Sequence, residues 1–327
     1  MEYLESVKLD EMKHRKRIIS LTVIVLLVLA IIIGGSFYML SYSLTPKENC
    51  GKDIPGSYAE QFEKYPFIKG WCDSLKQVKA LKDTFIYAPD GTRLHAMFTA
   101  SRGTRKTAVI IHGYTVSSVR MLMIGYLYHH DLGYNILLPD LRDHGLSEGK
   151  RIQMGWKDRT DVMQWIKIAP KIYGDSIEVA VHGISMGAAT TMMVSGEKQP
   201  SYVKCFIEDC GYTSVWDQFA KELKGQFHLP AFPLMYAASF INKTLYGWSF
   251  QEASSLKQVE KCKLPMFFIH GDADTYVPTW MVYVLYKAKN GDKQLWAVPG
   301  ATHAMSYHNY PKEYTAKVKA FTDKYIR

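Results

Sequence analysis

Residues 183–187 read Gly-Ile-Ser-Met-Gly, directly after the run Ile177-Glu178-Val179-Ala180-Val181 and ahead of the small residues Ala188 and Ala189. This pattern restricts the fold more than any other in the chain. A strand ends, the backbone reverses sharply, and a helix begins, with Ser185 at the reversal. Gly183 and Gly187 remove the side chains that would collide there. The first turn of the new helix directs free N–H groups at the space beside the serine. A sheet is required, with a helix packed on it and a serine lifted out at a strand's C-terminal end.

The rest of the chain agrees with that requirement from about residue 83 onward. Thr84–Tyr87 and Leu94–Thr99 flank Asp90-Gly91 and read as a hairpin. Apolar strands follow at Thr107–His112, Asn135–Pro139, Ser176–His182, Tyr202–Glu208, Pro265–His270 and Gln294–Val298. Helical stretches near 116–130, 158–173, 186–198, 279–290 and 310–326 separate them. The alternation predicts an α/β fold: a mostly parallel central sheet, helices on both faces, and an antiparallel hairpin at its start. Residues 213–262 interrupt the alternation with about 50 residues rich in aromatics and methionine, read as a small helical lid beyond the C-terminal strand edge. Plain packing helices are the other reading.

A nucleophilic serine needs a base, and the base needs an orienting carboxylate. Both follow Ser185 in the chain. Phe267–His270 runs into Gly271-Asp272-Ala273-Asp274-Thr275-Tyr276-Val277-Pro278, and Leu295–Val298 runs into Pro299-Gly300-Ala301-Thr302-His303. Each loop begins at a C-terminal strand end, so the three can converge on one edge. His112, His182 and His270 each precede glycine at a strand end, and their repetition suggests structural roles.

On these residues the chain resembles an α/β-hydrolase over roughly 80–327. The order Ser, Asp, His is that fold's order. The resemblance makes Asp274 the acid, with Asp272 as a decoy, and His303 the base, with His308 a weaker candidate. It places the oxyanion hole at the backbone N–H groups of Met186 and Tyr114. Asp140-Leu-Arg-Asp-His-Gly-Leu-Ser147 resembles the family's D-x-R-x-H-G-x-S turn, which implies an ion-paired Arg142 and a structural His144. An acidic nucleophile, as in dehalogenases and epoxide hydrolases, is excluded by Ser185. The sequence is similar to membrane-anchored Bem46-like hydrolases and to chains named after serine aminopeptidases or esterases. The resemblance implies hydrolysis of a small ester through an acyl-enzyme. A peptidase acting on short peptides, an acyltransferase and a non-catalytic binding protein are the rivals. No metal, organic cofactor or nucleic-acid partner is expected.

The N-terminus adds a second constraint. Ile18–Leu40 is 23 residues without a charge, which spans roughly 34 Å as a helix against about 30 Å of bilayer hydrocarbon. A cleaved signal would be shorter and end at a small-x-small site, which the residues after Gly34-Gly35-Ser36 lack. Lys13, Arg15, Lys16 and Arg17 precede the span, so residues 1–17 are expected in the cytoplasm and the rest of the chain outside it, on a single-pass signal anchor in the cell membrane. Of the net charge of +9, residues 1–17 hold +1 and the outer part +8. Residues 41–80 read as a membrane-proximal connector, with two short aromatic helices meeting at Pro66, and 81–327 as the catalytic domain. Among five cysteines, Cys50 and Cys72 both lie in the membrane-proximal segment and are able to bridge in an oxidising compartment. Asn242-Lys243-Thr244 matches a glycosylation acceptor by pattern alone.

Overall fold

Apolar runs with no polar alternation become strands covered on both faces. The strands are β1 (Lys82–Tyr87), β2 (Arg93–Thr99), β3 (Lys106–Ile111), β4 (Asn135–Pro139), β5 (Glu178–Ile184), β6 (Val203–Asp209), β7 (Met266–Gly271) and β8 (Lys293–Val298). They form one eight-stranded sheet in the order β1-β2-β4-β3-β5-β6-β7-β8. The β1/β2 and β2/β4 pairs are antiparallel, and every other pair is parallel. β4 and β7 are buried along their whole length, whereas β1, at the edge, alternates. This is a computed structural model of the protein, and it describes residues 1–45 and 49–327. Positions 46–48 of the expected connector lie outside the described residues.

The helices are α1 (Glu2–Leu44), α2 (Ile54–Lys64), α3 (Phe67–Gln77), α4 (Leu122–Tyr126), α5 (Asp158–Tyr173), α6 (Met186–Ser195), α7 (Val215–Phe227), α8 (Leu234–Tyr246), α9 (Ser255–Val259), α10 (Trp280–Ala288), α11 (Ser306–Asn309) and α12 (Pro311–Thr322). They belong to two compact units. One holds Met1–Ser43 and Ala220–Ser249; the other holds Leu44–Phe219 and Phe250–Arg327.

In the sheet unit, the connector helices meet at Pro66, which ends one helical run and opens the next. Tyr65, Ile68, Trp71 and Cys72 join the core formed with Leu122, Ile124, Ile136 and Leu138. A close backbone contact lies where α6 crosses β3 and β5. A Cβ on Gly187 would sit 2.1 Å from the carbonyl oxygen of Ile111, and one on Gly183 would sit 2.1 Å from that of Gly187. Backbone packs directly on backbone there.

The other unit pairs the N-terminal helix with part of the insertion. The charge-free stretch 18–40 sits inside a helix of 43 residues, Glu2–Leu44. The helix outruns the apolar segment because Glu, Leu, Met, Lys and Arg before it are strong helix formers. Ile18 through Ile31 are all exposed, and this helix is long and apolar enough to cross a membrane. Near its end, the Ser36 hydroxyl lies 3.3 Å from the Leu234 carbonyl, and Tyr42 donates to Gln226 at 2.8 Å. The Phe227 ring stands edge-on to Tyr38 and Tyr42.

The stretch 213–262 is shared between the two units. Its two ends stay with the sheet unit: Val215 N–H donates to Ala253 at 2.9 Å and Leu256 N–H to Thr213 at 3.0 Å, beside a Ser214–Ser254 bridge. Asn242 is buried and its side-chain amide donates to the Trp248 carbonyl at 2.6 Å, so the acceptor pattern there is occupied by structure.

All five cysteines are buried, and none is joined in a disulfide. Cys50 and Cys72 do not pair. Cys72 is packed in the core through α3, while Cys50 sits in a turn whose carbonyl accepts from Gly145 at 3.0 Å. A thiol-reactive dye added to the native protein without reductant should titrate none of the five, and all five after denaturation. Fewer than five on denaturation would reveal a bridge. The Gly187→Ala variant should lose about 3 kcal/mol of stability or more, since backbone oxygens leave its methyl no space. The readout is a lowered thermal midpoint.

Candidate active site

Ser185 lies between β5 and α6 with φ +59° and ψ −120°, a left-handed backbone that a non-glycine residue adopts only when its surroundings force it. Its N–H donates to the Asp209 carbonyl at 2.8 Å, and its own carbonyl accepts from Ala189 at 3.0 Å. Strand and helix thus clamp the reversal from both sides. The hydroxyl Oγ lies 2.8 Å from His303 Nε2. The other ring nitrogen, Nδ1, lies 2.7 Å from Asp274 Oδ2. The three side chains come from the C-terminal ends of β5, β7 and β8.

The partners of Asp274 determine its charge. Burial alone would favour the neutral acid. Hydrogen bonds from His270 and His303, the positive charge available on His303 and the Val277 N–H outweigh that and hold the carboxyl well below the usual carboxylate range. Oδ1 accepts from Tyr276 N–H at 2.9 Å and Val277 N–H at 3.0 Å. Facing an ionised carboxylate, His303 keeps its proton on Nδ1 and turns the lone pair of Nε2 toward Ser185. An imidazole so placed can take the hydroxyl proton as the oxygen attacks an electrophile.

The rejected candidates have other partners. Asp272 is exposed and accepts from Gly300 N–H at 2.7 Å, so it shapes the turn ahead of His303. His308 is exposed and sits edge-on to Tyr65.

Of the two expected oxyanion donors, Met186 is the buried first residue of α6, where backbone N–H groups have no intrahelical partner. Tyr114 follows Gly113, whose missing Cβ would lie 3.4 Å from the Ser185 Cβ. Two buried histidines hold this loop. His144 Nε2 accepts from Thr115 N–H at 3.2 Å while its Nδ1–H donates to the Arg142 carbonyl at 2.8 Å. His112 Nε2 accepts from Leu141 N–H at 2.9 Å while its Nδ1–H donates to the Gly113 carbonyl. Burial pushes His144 down to about 3 and lowers His112 as well, which keeps both rings neutral and able to accept. Arg142 is ion-paired with Asp90 and Asp161.

Two groups behind the site were not singled out as part of it. His270 Nε2 donates to the Val277 carbonyl at 2.8 Å and lies 3.4 Å from Asp274 Oδ2. Burial opposes its charge, but Asp274 and Glu208 raise its affinity for a proton. Glu208, buried on β6, is pushed up to about 8 by that burial. The available signal was register: Glu208 pairs with Phe268, and His270, two residues on, shares its face. Beneath the elbow, Tyr128 donates to His182, His182 to Tyr314, and Tyr314 to Asp209, the residue whose carbonyl holds Ser185.

Among the described residues, Cys210, Asp274 and His303 place ligand-type atoms within 4.8 Å of one another. Asp274 and His303 are already bonded together, and burial beside Asp209 and Asp274 keeps the Cys210 thiol protonated. The cluster has the character of an acid–base site.

Comparison with known proteins agrees with this geometry. The Bacillus subtilis protein YqkD is 30% identical over 253 residues, covering 77% of this chain and 83% of its own. The protein bem46 of Schizosaccharomyces pombe is 23% identical over 203 residues, 61% of this chain and 62% of its own. Among solved structures, the Pyrococcus furiosus esterase Pf2001 superposes with a TM-score of 0.63 at 26% identity, covering 77% of this chain and 94% of that one. Residues 128–327 match the prolyl oligopeptidase family. The strand order, the elbow and the match together establish that the chain belongs to the prolyl oligopeptidase family and is an α/β-hydrolase.

Proposed function

We propose that this protein is a membrane-anchored serine hydrolase cleaving carboxylic ester bonds. The observation that carries the reading is the unbroken line from Ser185 Oγ through His303 to Asp274, at 2.8 and 2.7 Å. In it, Ser185 attacks the acyl carbonyl while His303 takes its proton. Asp274 holds the ring in the required tautomer and stabilises its charged form. The Tyr114 and Met186 N–H groups bind the tetrahedral oxyanion. His303 then protonates the leaving alcohol, and water attacks the acyl-enzyme by the same route in reverse. Every step uses side chains and backbone of this chain.

Esters are favoured over amides for two reasons. The Pyrococcus furiosus protein that superposes on this chain is an esterase. The insertion carries few acids to capture a peptide amine: Asp217, Glu222 and Glu252 between 213 and 259. The family match favours a second reading, cleavage of short peptides. An acyltransferase would use the same residues, with another nucleophile in place of water.

Purified full-length protein should turn over p-nitrophenyl esters faster than aminoacyl or acylaminoacyl p-nitroanilides. The opposite ranking would favour the peptidase. A fluorophosphonate should label Ser185. Ser185→Ala should abolish labelling and lower kcat by about 10⁶. Asp274→Asn should cost about 10⁴ by stabilising the wrong tautomer of His303. Ester turnover that survives Ser185→Ala would sink the mechanism.

The anchor in this reading is Ile18–Leu40, with the basic cluster before it in the cytoplasm and residues 41–327 outside. Protease added to spheroplasts should therefore digest the hydrolase domain. Full protection would reverse the orientation.

A further inference from the structure

The unit formed by α1 and residues 220–249 carries an apolar surface that the proposed chemistry does not use. Between His228 and Lys243 the chain runs fourteen residues without a charge, Leu229–Asn242. A buried segment would explain that composition, yet much of this one is exposed. Phe232, Tyr236 and Phe240 are 71%, 54% and 72% exposed, and Leu229 is exposed ahead of them. The spacing of four places Tyr236 and Phe240 on one stripe along α8, and Phe232 lies in the turn just ahead of it.

The neighbour of this stripe indicates what covers it. The Leu234 carbonyl lies 3.3 Å from the hydroxyl of Ser36, and Phe227 packs on Tyr38 and Tyr42. Ser36 falls four residues inside the end of the apolar run at Leu40, which is about 6 Å of helix. The start of α8 therefore sits at the depth of the outer hydrocarbon boundary, level with the exposed α1 side chains Ile33 and Phe37. At that depth the neighbouring molecules are lipids. The turn is also suited to an apolar medium, where an unpaired backbone donor is costly. Pro230 and Pro233 have no N–H, and the N–H groups of Met235 and Ala237 are bonded to Ala231 and Pro233 carbonyls. Lys224 and Lys243 flank the segment, both exposed, where they can reach headgroups.

We propose that residues 229–240 are a second membrane contact, in which the Leu229–Pro233 turn and the exposed stripe of α8 insert among lipid acyl chains of the leaflet through which α1 emerges. The insertion then lies in the bilayer surface, and the ester substrates that suit it are amphiphiles partitioned into that leaflet. The contact rests on the reading of α1 as a membrane span.

The test uses the full chain in vesicles of phosphatidylcholine and phosphatidylglycerol, with or without a doxyl-labelled lipid. Single cysteines at Phe232→Cys and Phe240→Cys carry an environment-sensitive dye. The five native thiols are buried, so labelling is selective. Val28→Cys in the span and Asp175→Cys on the exposed sheet unit serve as references, and each variant is checked for an unchanged thermal midpoint. Labels at 232 and 240 should show blue-shifted emission, quenching by doxyl lipid and protection from aqueous iodide, as at 28 and unlike 175. Iodide quenching at 232 and 240 with lipid quenching at 28 would overturn the second contact and leave the anchor standing. Iodide quenching at 28 would overturn the anchor and the contact together.

Discussion

The structure depends on one close approach, that of the α6 backbone to β3 and β5. With Gly187 against the Ile111 carbonyl and Gly183 against that of Gly187, no side chain fits at either position. That contact forces the reversal at Ser185 and its left-handed backbone, a conformation costing of order 1–3 kcal/mol that neighbouring structure must offset. The offset comes from buried hydrogen bonds on either side, from Asp209 beneath and Ala189 ahead. Asp209 is itself held by Ser306 and Tyr314 from the C-terminal helices. Distant parts of the chain thus converge on the geometry of one residue.

The surroundings of the candidate triad show a division of labour among histidines. His112, His144 and His182 are buried and neutral, each using one ring nitrogen to donate and the other to accept. They are fixed connectors between loops. His303 is the one in the line that retains access, with about a fifth of its side chain exposed. His270 stands between these roles, sharing Asp274 Oδ2 with His303 while fastened to the Val277 carbonyl. It keeps the acid loop in place without reaching the serine.

Much of this was legible in the sequence. Apolar runs placed the inner strands to within a few residues, because strands covered on both faces leave little ambiguity of composition, and the Asp90-Gly91 turn placed the edge hairpin of β1 and β2. Strand-end positions brought Asp274 and His303 to Ser185. Strand order was less legible: β2 lies between β1 and β4, a pairing that no periodicity encodes. Glu208 and His270 were missed as a pair because their relation depends on register between β6 and β7. Composition does not report that Thr213 and Val215 are tied back to Leu256 and Ala253. The possible Cys50–Cys72 bridge failed for a similar reason, since proximity in sequence says nothing of which core each thiol enters.

The unit containing α1 is assembled from two separated stretches, Met1–Ser43 and Ala220–Ser249, with residues 44–219 between them. A ribosome adding about 5–20 residues per second needs roughly 9–35 s to cross that gap. During this interval the first helix exists without Phe227 and Leu234, and Ser36, Tyr38 and Tyr42 lack the partners they have in the finished protein. Biogenesis is therefore ordered: the first helix is complete, by much of the sheet's synthesis, before the segment that completes its surroundings arrives.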